Sequence, residues 1–205
     1  MPVECPDCKA ARDRAAMAER SGITAGSYAK FTLARFRADT PDARRMKFAA
    51  MQYLKERPEK KGAAFLGKSG TGKTHISIAL LQALDKPHTY WGYGQKIQIL
   101  KATRYRDFDR FTAETRAAAK APNLYIDDLF QGDYNGGELD KQAAQIMFDI
   151  INTRYINRLP TFFSSNMALG DIIKANEAIG SRIYEMTAPY CVILGEGARN
   201  VRMSS

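Results

Sequence analysis

Cysteine is scarce: three residues in 205, an odd number, which argues against a disulfide framework and agrees with a reducing compartment. Long apolar runs are missing too. No stretch reaches the roughly 18 apolar residues that a membrane span needs, and the opening "MPVECPDCKAARDR" lacks the apolar middle of a secretory signal. A cytoplasmic location is therefore expected, with no membrane partner. Internal repeats and low-complexity segments are also absent. With 45% hydrophobic and 26% charged residues, the composition excludes the disordered and collagenous classes. The length suits one well-cored domain with an appendage. What the chain does have is positive charge, a formal net +9. That fits a polyanionic partner such as nucleic acid, or simply a solvated basic surface.

Residues 1–60 are rich in alanine, arginine and lysine and helical in period, which marks a helical N-terminal extension. Thr40-Pro41-Asp42 supplies a break and a helix start. Phe48, Met51, Tyr53 and Leu54 are expected to form the apolar stripe of the helix that follows, and Pro58 to Gly62 ends it. A boundary is expected there, with 61–205 forming the second unit.

From Gly62 onward short apolar runs alternate with helical stretches, the signature of a parallel sheet with crossover helices. The runs are Ala63 to Leu66, His88 to Trp91, Leu124 to Ile126, Thr161 to Ser165 and Tyr190 to Leu194, giving an α/β fold with five buried strands. Between the third and fourth, Ala143, Met147, Ile150 and Arg154 step along one helix face. "QGDYNGGE", Gln131 to Glu138, reads as a flexible loop.

The segment "FLGKSGTGKTHISIALLQAL" carries G-x-x-x-x-G-K-[ST] between an expected strand and an expected helix, which is the context the phosphate-binding loop requires. Successive backbone N–H groups form a nest, the helix N-terminus adds partial positive charge, and glycine lets the backbone close on phosphates. Gly67, Ser69, Gly70, Thr71, Gly72, Lys73, Thr74 and His75 are the candidate nucleotide contacts. Lys73 would reach the outer phosphates and the Thr74 hydroxyl would complete a Mg²⁺ site. The bland alternative is a glycine-rich turn with a stray lysine.

"NLYIDDLFQGD" puts Asp127 and Asp128 at the C-terminal end of a buried strand, where parallel α/β sheets bind ligands. Two adjacent unneutralised carboxylates would be costly there, so a metal ion is a natural reason for them. Asp127 would hold the Mg²⁺ hydration shell and Asp128 would polarise the attacking water; a solvated acidic strand end is the alternative. "PTFFSSNMALGD" sets Asn166 at another strand tip, where an amide can orient water against a terminal phosphate, although asparagine is also a common turn residue.

The order of these motifs with "GSRIYEM" across Gly62 to Arg202 resembles the AAA+ ATPases of the DnaC/DnaI helicase-loader and IstB clade. The resemblance implies a P-loop NTPase fold that binds ATP or ADP with Mg²⁺ and hydrolyses ATP. It matches Lys73 and Thr74 to Walker A, Asp127 to the Mg²⁺ acid, Asn166 to sensor 1, and Arg182 to the finger that reaches a nucleotide on the next subunit. Arg202, with Arg199 as understudy, matches sensor 2. Asp128 stands where many AAA+ proteins carry glutamate. It further implies an ATP-dependent oligomer on single-stranded DNA that delivers a replicative hexameric helicase, with residues 1–60 a helicase-binding region and no C-terminal lid domain. An IstB-like helper of DNA transposition is the alternative client, and a P-loop kinase for a small metabolite a third reading. "CPDC", Cys5 to Cys8, looks like half of a zinc ribbon, but a closed site needs four ligands. Cys191 reads as core, so zinc is not expected within this chain.

Lys96, Lys101, Arg104 and Arg106 interleave with Tyr105 and Phe108 in "GQKIQILKATRYRDFDRF". A basic track with aromatic platforms suits single-stranded DNA. A charged helix face with two core aromatics would give the same sequence.

Overall fold

A computed structural model describes residues 16, 25–84, 86, 88–135 and 137–195. Cys5, Cys8, Arg199 and Arg202 lie outside the described residues. The chain opens with α1 (Ala25–Lys30) and α2 (Pro41–Glu56). Thr40 caps α2 by accepting from the Ala43 amide at 3.1 Å, Pro41 occupies the first turn, and Arg57 ends the helix in the left-handed region, at φ 45°. Cap, proline and stop each do the job the sequence predicts.

The α/β domain follows in the order β1 (Ala64–Leu66), α3 (Lys73–Leu84), β2 (Thr89–Gly92), α4 (Tyr93–Thr103), α5 (Phe108–Lys120), β3 (Leu124–Asp127), β4 (Tyr134–Asn135), β5 (Glu138–Leu139), α6 (Lys141–Ile156), β6 (Thr161–Ser165), α7 (Leu169–Ala175), α8 (Glu177–Thr187) and β7 (Cys191–Ile193). Five strands form one parallel sheet in the order β2-β3-β6-β1-β7. The five predicted strands are these five. Only β1, β3 and β6 are buried throughout; β2 and β7 sit at the edges with partly exposed residues. Gln131 to Glu138 is not a plain loop, because Tyr134 and Asn135 pair antiparallel with Leu139 and Glu138.

Strand alternation divides the core. Ala64, Leu66, Leu124, Ile126 and Phe163 face one cluster with Ile97 and Leu100 of α4, Ala118 of α5, and Met147, Ile150 and Ile183 of α6 and α8. Phe65, Tyr125 and Phe162 face the other, with Ile76 and Leu80 of α3 and Met46 and Tyr53 of α2. Each of the larger aliphatic side chains and phenylalanines among them contributes about 1.5–3 kcal/mol of burial. Tyr28, Phe36, Ala43, Met46, Ala50 and Tyr53 belong to the second cluster, so this part of residues 1–60 packs on the sheet. The expected α2 stripe is half corrected: Tyr53 is buried, but Phe48 and Met51 are 66% and 52% exposed. Ala43, Met46 and Ala50 replace them on the inner face, where two alanines let α2 lie close to α3 and Met46 fills the space between them. Among the described residues no helix is long and apolar enough to cross a membrane.

Candidate active site

The strand-to-helix loop after β1 is built from alternating conformations only glycine adopts readily. Gly67, Gly70 and Gly72 have φ of 119°, 76° and 94°, and a Cβ on Gly67 would stand 2.6 Å from the Leu194 carbonyl oxygen. The loop leads directly into α3, so its amides and the helix N-terminus make a concave, partly positive cradle. Lys73 begins that helix and is only 4% exposed. Its ammonium donates to the Lys68 carbonyl at 2.8 Å and to Asn166 Oδ1 at 3.0 Å. Asn166 follows the tip of β6, so this contact joins the start of α3 to the tip of β6.

Asp127, at the tip of β3 and 6% exposed, faces the same cradle. Thr74 Oγ1 donates to its Oδ1 at 3.1 Å, Tyr125 to the same oxygen at 2.6 Å, and Ser164 Oγ also donates there. Tyr90 donates to Oδ2 at 2.7 Å. Burial, then the adjacent Asp127 charge, pushes both phenols well above the ordinary tyrosine range, so they remain protonated donors. Hard oxygen atoms from Thr74 and Asp127 beside an amide nest suit Mg²⁺. Asp128 follows in the left-handed region, at φ 53°, which turns it away from the strand, and its amide donates to Ser164 Oγ at 2.9 Å.

The N-terminal segment covers the other side of the loop. His75 Nε2 lies 3.1 Å from the Thr32 carbonyl and its ring contacts Phe31 and Phe36 at 5.0 and 5.2 Å. Sequence reasoning missed Tyr90, Tyr125, Ser164 and Phe36 at this site. Tyr125 and Ser164 carried a signal: Tyr125 is two residues before Asp127 on one strand face, and Ser164 is two before Asn166. Tyr90 carried none, because its role depends on β2 pairing with β3 opposite Tyr125.

Arg182, on α8, is partly exposed and held by its own chain. It donates to Asn152 Oδ1 at 3.0 Å and the Ala178 carbonyl at 2.8 Å, and its guanidinium lies 5.1 and 5.4 Å from the Phe148 and Tyr155 rings. The basic segment after β2 is less free than the sequence suggests. Lys96 pairs with Glu114 at 3.3 Å, and Lys101 with Asp133 at 2.5 Å and Asp140 at 2.9 Å. Tyr105 and Phe108 are 83% and 68% exposed, which overturns the core-aromatic reading. Arg104 stacks over Tyr105 and Phe111 at 5.8 and 6.0 Å, and Arg106 is exposed.

No family model matches the chain. The uncharacterised protein YqaM of Bacillus subtilis (strain 168) is 33% identical over 201 residues, spanning 92% of this chain and 62% of YqaM. The phage-like element PBSX protein XkdC of the same organism is 32% identical over 139 residues, 66% of this chain and 51% of XkdC. This chain thus spans less than two thirds of either relative. Among solved structures, a DnaC helicase loader superposes with a TM-score of 0.67 at 21% identity over 82% of this chain and 99% of that one. DnaI gives 0.62 at 19% identity, covering 84% and 93%. The replication initiator DnaA bound to AMPPCP and single-stranded DNA gives 0.62 at 18% identity, covering 83% and 52%.

Proposed function

This chain has the AAA+ fold of the DnaC/DnaI helicase loaders and of DnaA, and from that premise we propose that it is an ATP-dependent loader of a replicative hexameric helicase onto single-stranded DNA. One observation carries the reading: Lys73 and Thr74 from the start of α3, Asn166 from the end of β6 and Asp127 from the end of β3 converge on the glycine cradle. Lys73 would give up Asn166 for the outer phosphates of ATP, and the loop amides would bind the phosphate oxygens. Mg²⁺, held by Thr74 and through water by Asp127, would neutralise charge that builds on the transferring phosphoryl group. Asp128 would orient the attacking water, and Asn166, released by Lys73, would face the same phosphoryl group.

Arg182 would act on the nucleotide of a neighbouring copy, which makes the complete hydrolytic site a property of the oligomer. Phe148, Asn152 and Tyr155 support that role by holding the guanidinium in one orientation before a neighbour arrives. Tyr105 and Phe108, with Arg104 and Arg106, would form the DNA contact, because exposed rings beside guanidinium groups offer stacking and phosphate pairing together. Residues 1–60 would contribute the helicase contact, and the protein would act in the cytoplasm. The test is co-precipitation of a purified replicative helicase by the full chain, with ATP and without it. ATP-dependent capture on single-stranded DNA is the expected result, and no capture in any nucleotide state excludes the loader role.

A further inference from the structure

An ionised carboxylate has about four lone-pair sites, two on each oxygen. At Asp127 three hydroxyls, from Thr74, Tyr125 and Ser164, crowd Oδ1, and one, from Tyr90, reaches Oδ2. The lone pair these contacts leave for a further donor is therefore on Oδ2, beside the Tyr90 phenol. Tyr125 and Ser164 reach Asp127 from inside the sheet and are fully buried. Tyr90 reaches it from the edge strand and is only partly buried. Its ring lies 5.5 Å from that of Tyr125 at 75°, and a Cβ at Gly92 would come within 3.2 Å of it. The edge strand thus keeps a glycine where a side chain would crowd the ring that crosses to the acid. Rotation of a carboxylate about its last torsion is soft and roughly two-fold, so donors on both oxygens fix the plane of the carboxylate and the direction in which its open lone pair points.

Resting on the ATPase reading above, we infer that Tyr90 is a positioning residue, whose phenol turns the Asp127 carboxylate so that Oδ2 meets the hydration shell of the metal that accompanies the nucleotide. Groups that orient a metal-binding side chain are worth about 10-fold to 100-fold in metal affinity or activity. Tyr90→Phe removes the hydroxyl and keeps the ring.

The test is anisotropy of a fluorescent ATP analogue on the full-length chain, titrated with magnesium chloride and repeated in EDTA, for wild type and Tyr90→Phe. The expected result is a magnesium midpoint raised by about 10-fold to 100-fold in the variant, with affinity in EDTA and thermal midpoint unchanged. An unchanged magnesium midpoint overturns the inference. So does an equal loss in EDTA, because the hydroxyl would then serve the nucleotide or the fold. If wild type binds no nucleotide with or without magnesium, the ATPase reading itself falls and the inference with it.

Discussion

Lys73 Nζ donates to Asn166 Oδ1 at 3.0 Å although 93 residues separate them in the chain. The ammonium and the amide therefore face each other where a terminal phosphate would lie. Lys73→Ala should abolish nucleotide binding, because it removes the one buried cation aimed at the cradle from α3. Asn166→Ala should keep binding and slow hydrolysis by about 10²–10³-fold, the usual loss for one transition-state donor. Equilibrium binding with single-turnover hydrolysis separates the two, and an Asn166→Ala variant that hydrolyses normally would remove Asn166 from the mechanism.

Arg182 lies against Phe148 and Tyr155 and donates to Asn152. Arg182→Ala should leave nucleotide binding intact and lower DNA-stimulated hydrolysis by about 10³–10⁵-fold. Arg182→Lys should not restore it, since lysine lacks the planar fork that stacks and pairs simultaneously. The check is mixing: Arg182→Ala subunits added to Lys73→Ala subunits should recover activity if the site is shared across copies.

Tyr105 and Phe108 are 83% and 68% exposed, whereas Lys101 is engaged by Asp133 and Asp140. Tyr105→Ala and Phe108→Ala should each weaken single-stranded DNA binding by about 1–3 kcal/mol with little change in thermal stability. Lys101→Ala should leave DNA affinity nearly unchanged and loosen the contact between α4 and the segment after β3. Filter binding beside a thermal melt distinguishes these outcomes, and a DNA defect confined to Lys101 would reverse the assignment.

The chain has two histidines, and both touch the N-terminal segment: His75 at the Thr32 carbonyl and His88 Nε2 at the Tyr28 hydroxyl, 3.1 Å away. His88 Nδ1 meets the Lys86 carbonyl, so that nitrogen carries the proton and Nε2 accepts from Tyr28. Burial, partly opposed by hydrogen bonds to carbonyls, pulls both imidazoles below 6.5. The unfolded chain therefore binds more protons in the window between the folded values and 6.5, and stability falls as pH drops through it. Amide protection of residues 28–36, corrected for the intrinsic exchange rate, should fall as pH drops below about 6.5, and a His75→Gln, His88→Gln variant should flatten the profile. A flat profile in the wild type would show that these contacts do not carry the docking.

Most of the sheet was legible because buried strands leave short apolar runs whatever their neighbours. The glycine loop between β1 and α3 was legible because glycine, lysine and threonine at fixed offsets answer one local geometry. The α2 stripe was misread because Phe48 and Met51 are apolar but stand on the outer side, while Ala43, Met46, Ala50 and Tyr53 carry the inner face. Tyr105 and Phe108 were ambiguous for a related reason: periodicity reports a face, and says nothing of what covers it.

Arg154 shows where the division falls. The sequence places it on the apolar face of α6, and the structure buries it fully. Its guanidinium donates to the carbonyls of Ala118, Ala121 and Pro160 and to Thr161 Oγ1; it ties the end of α5 to the start of β6, with burial lowering it to about 10. The sequence by itself determined the strands, the glycine cradle and the acid at the tip of β3, since each depends on residues adjacent along the chain. Tertiary structure alone decided that Tyr90 reaches Asp127, which cations are already paired and which aromatics face solvent. Those depend on residues tens of positions apart meeting across the sheet, and contact across space leaves no fixed spacing in a sequence.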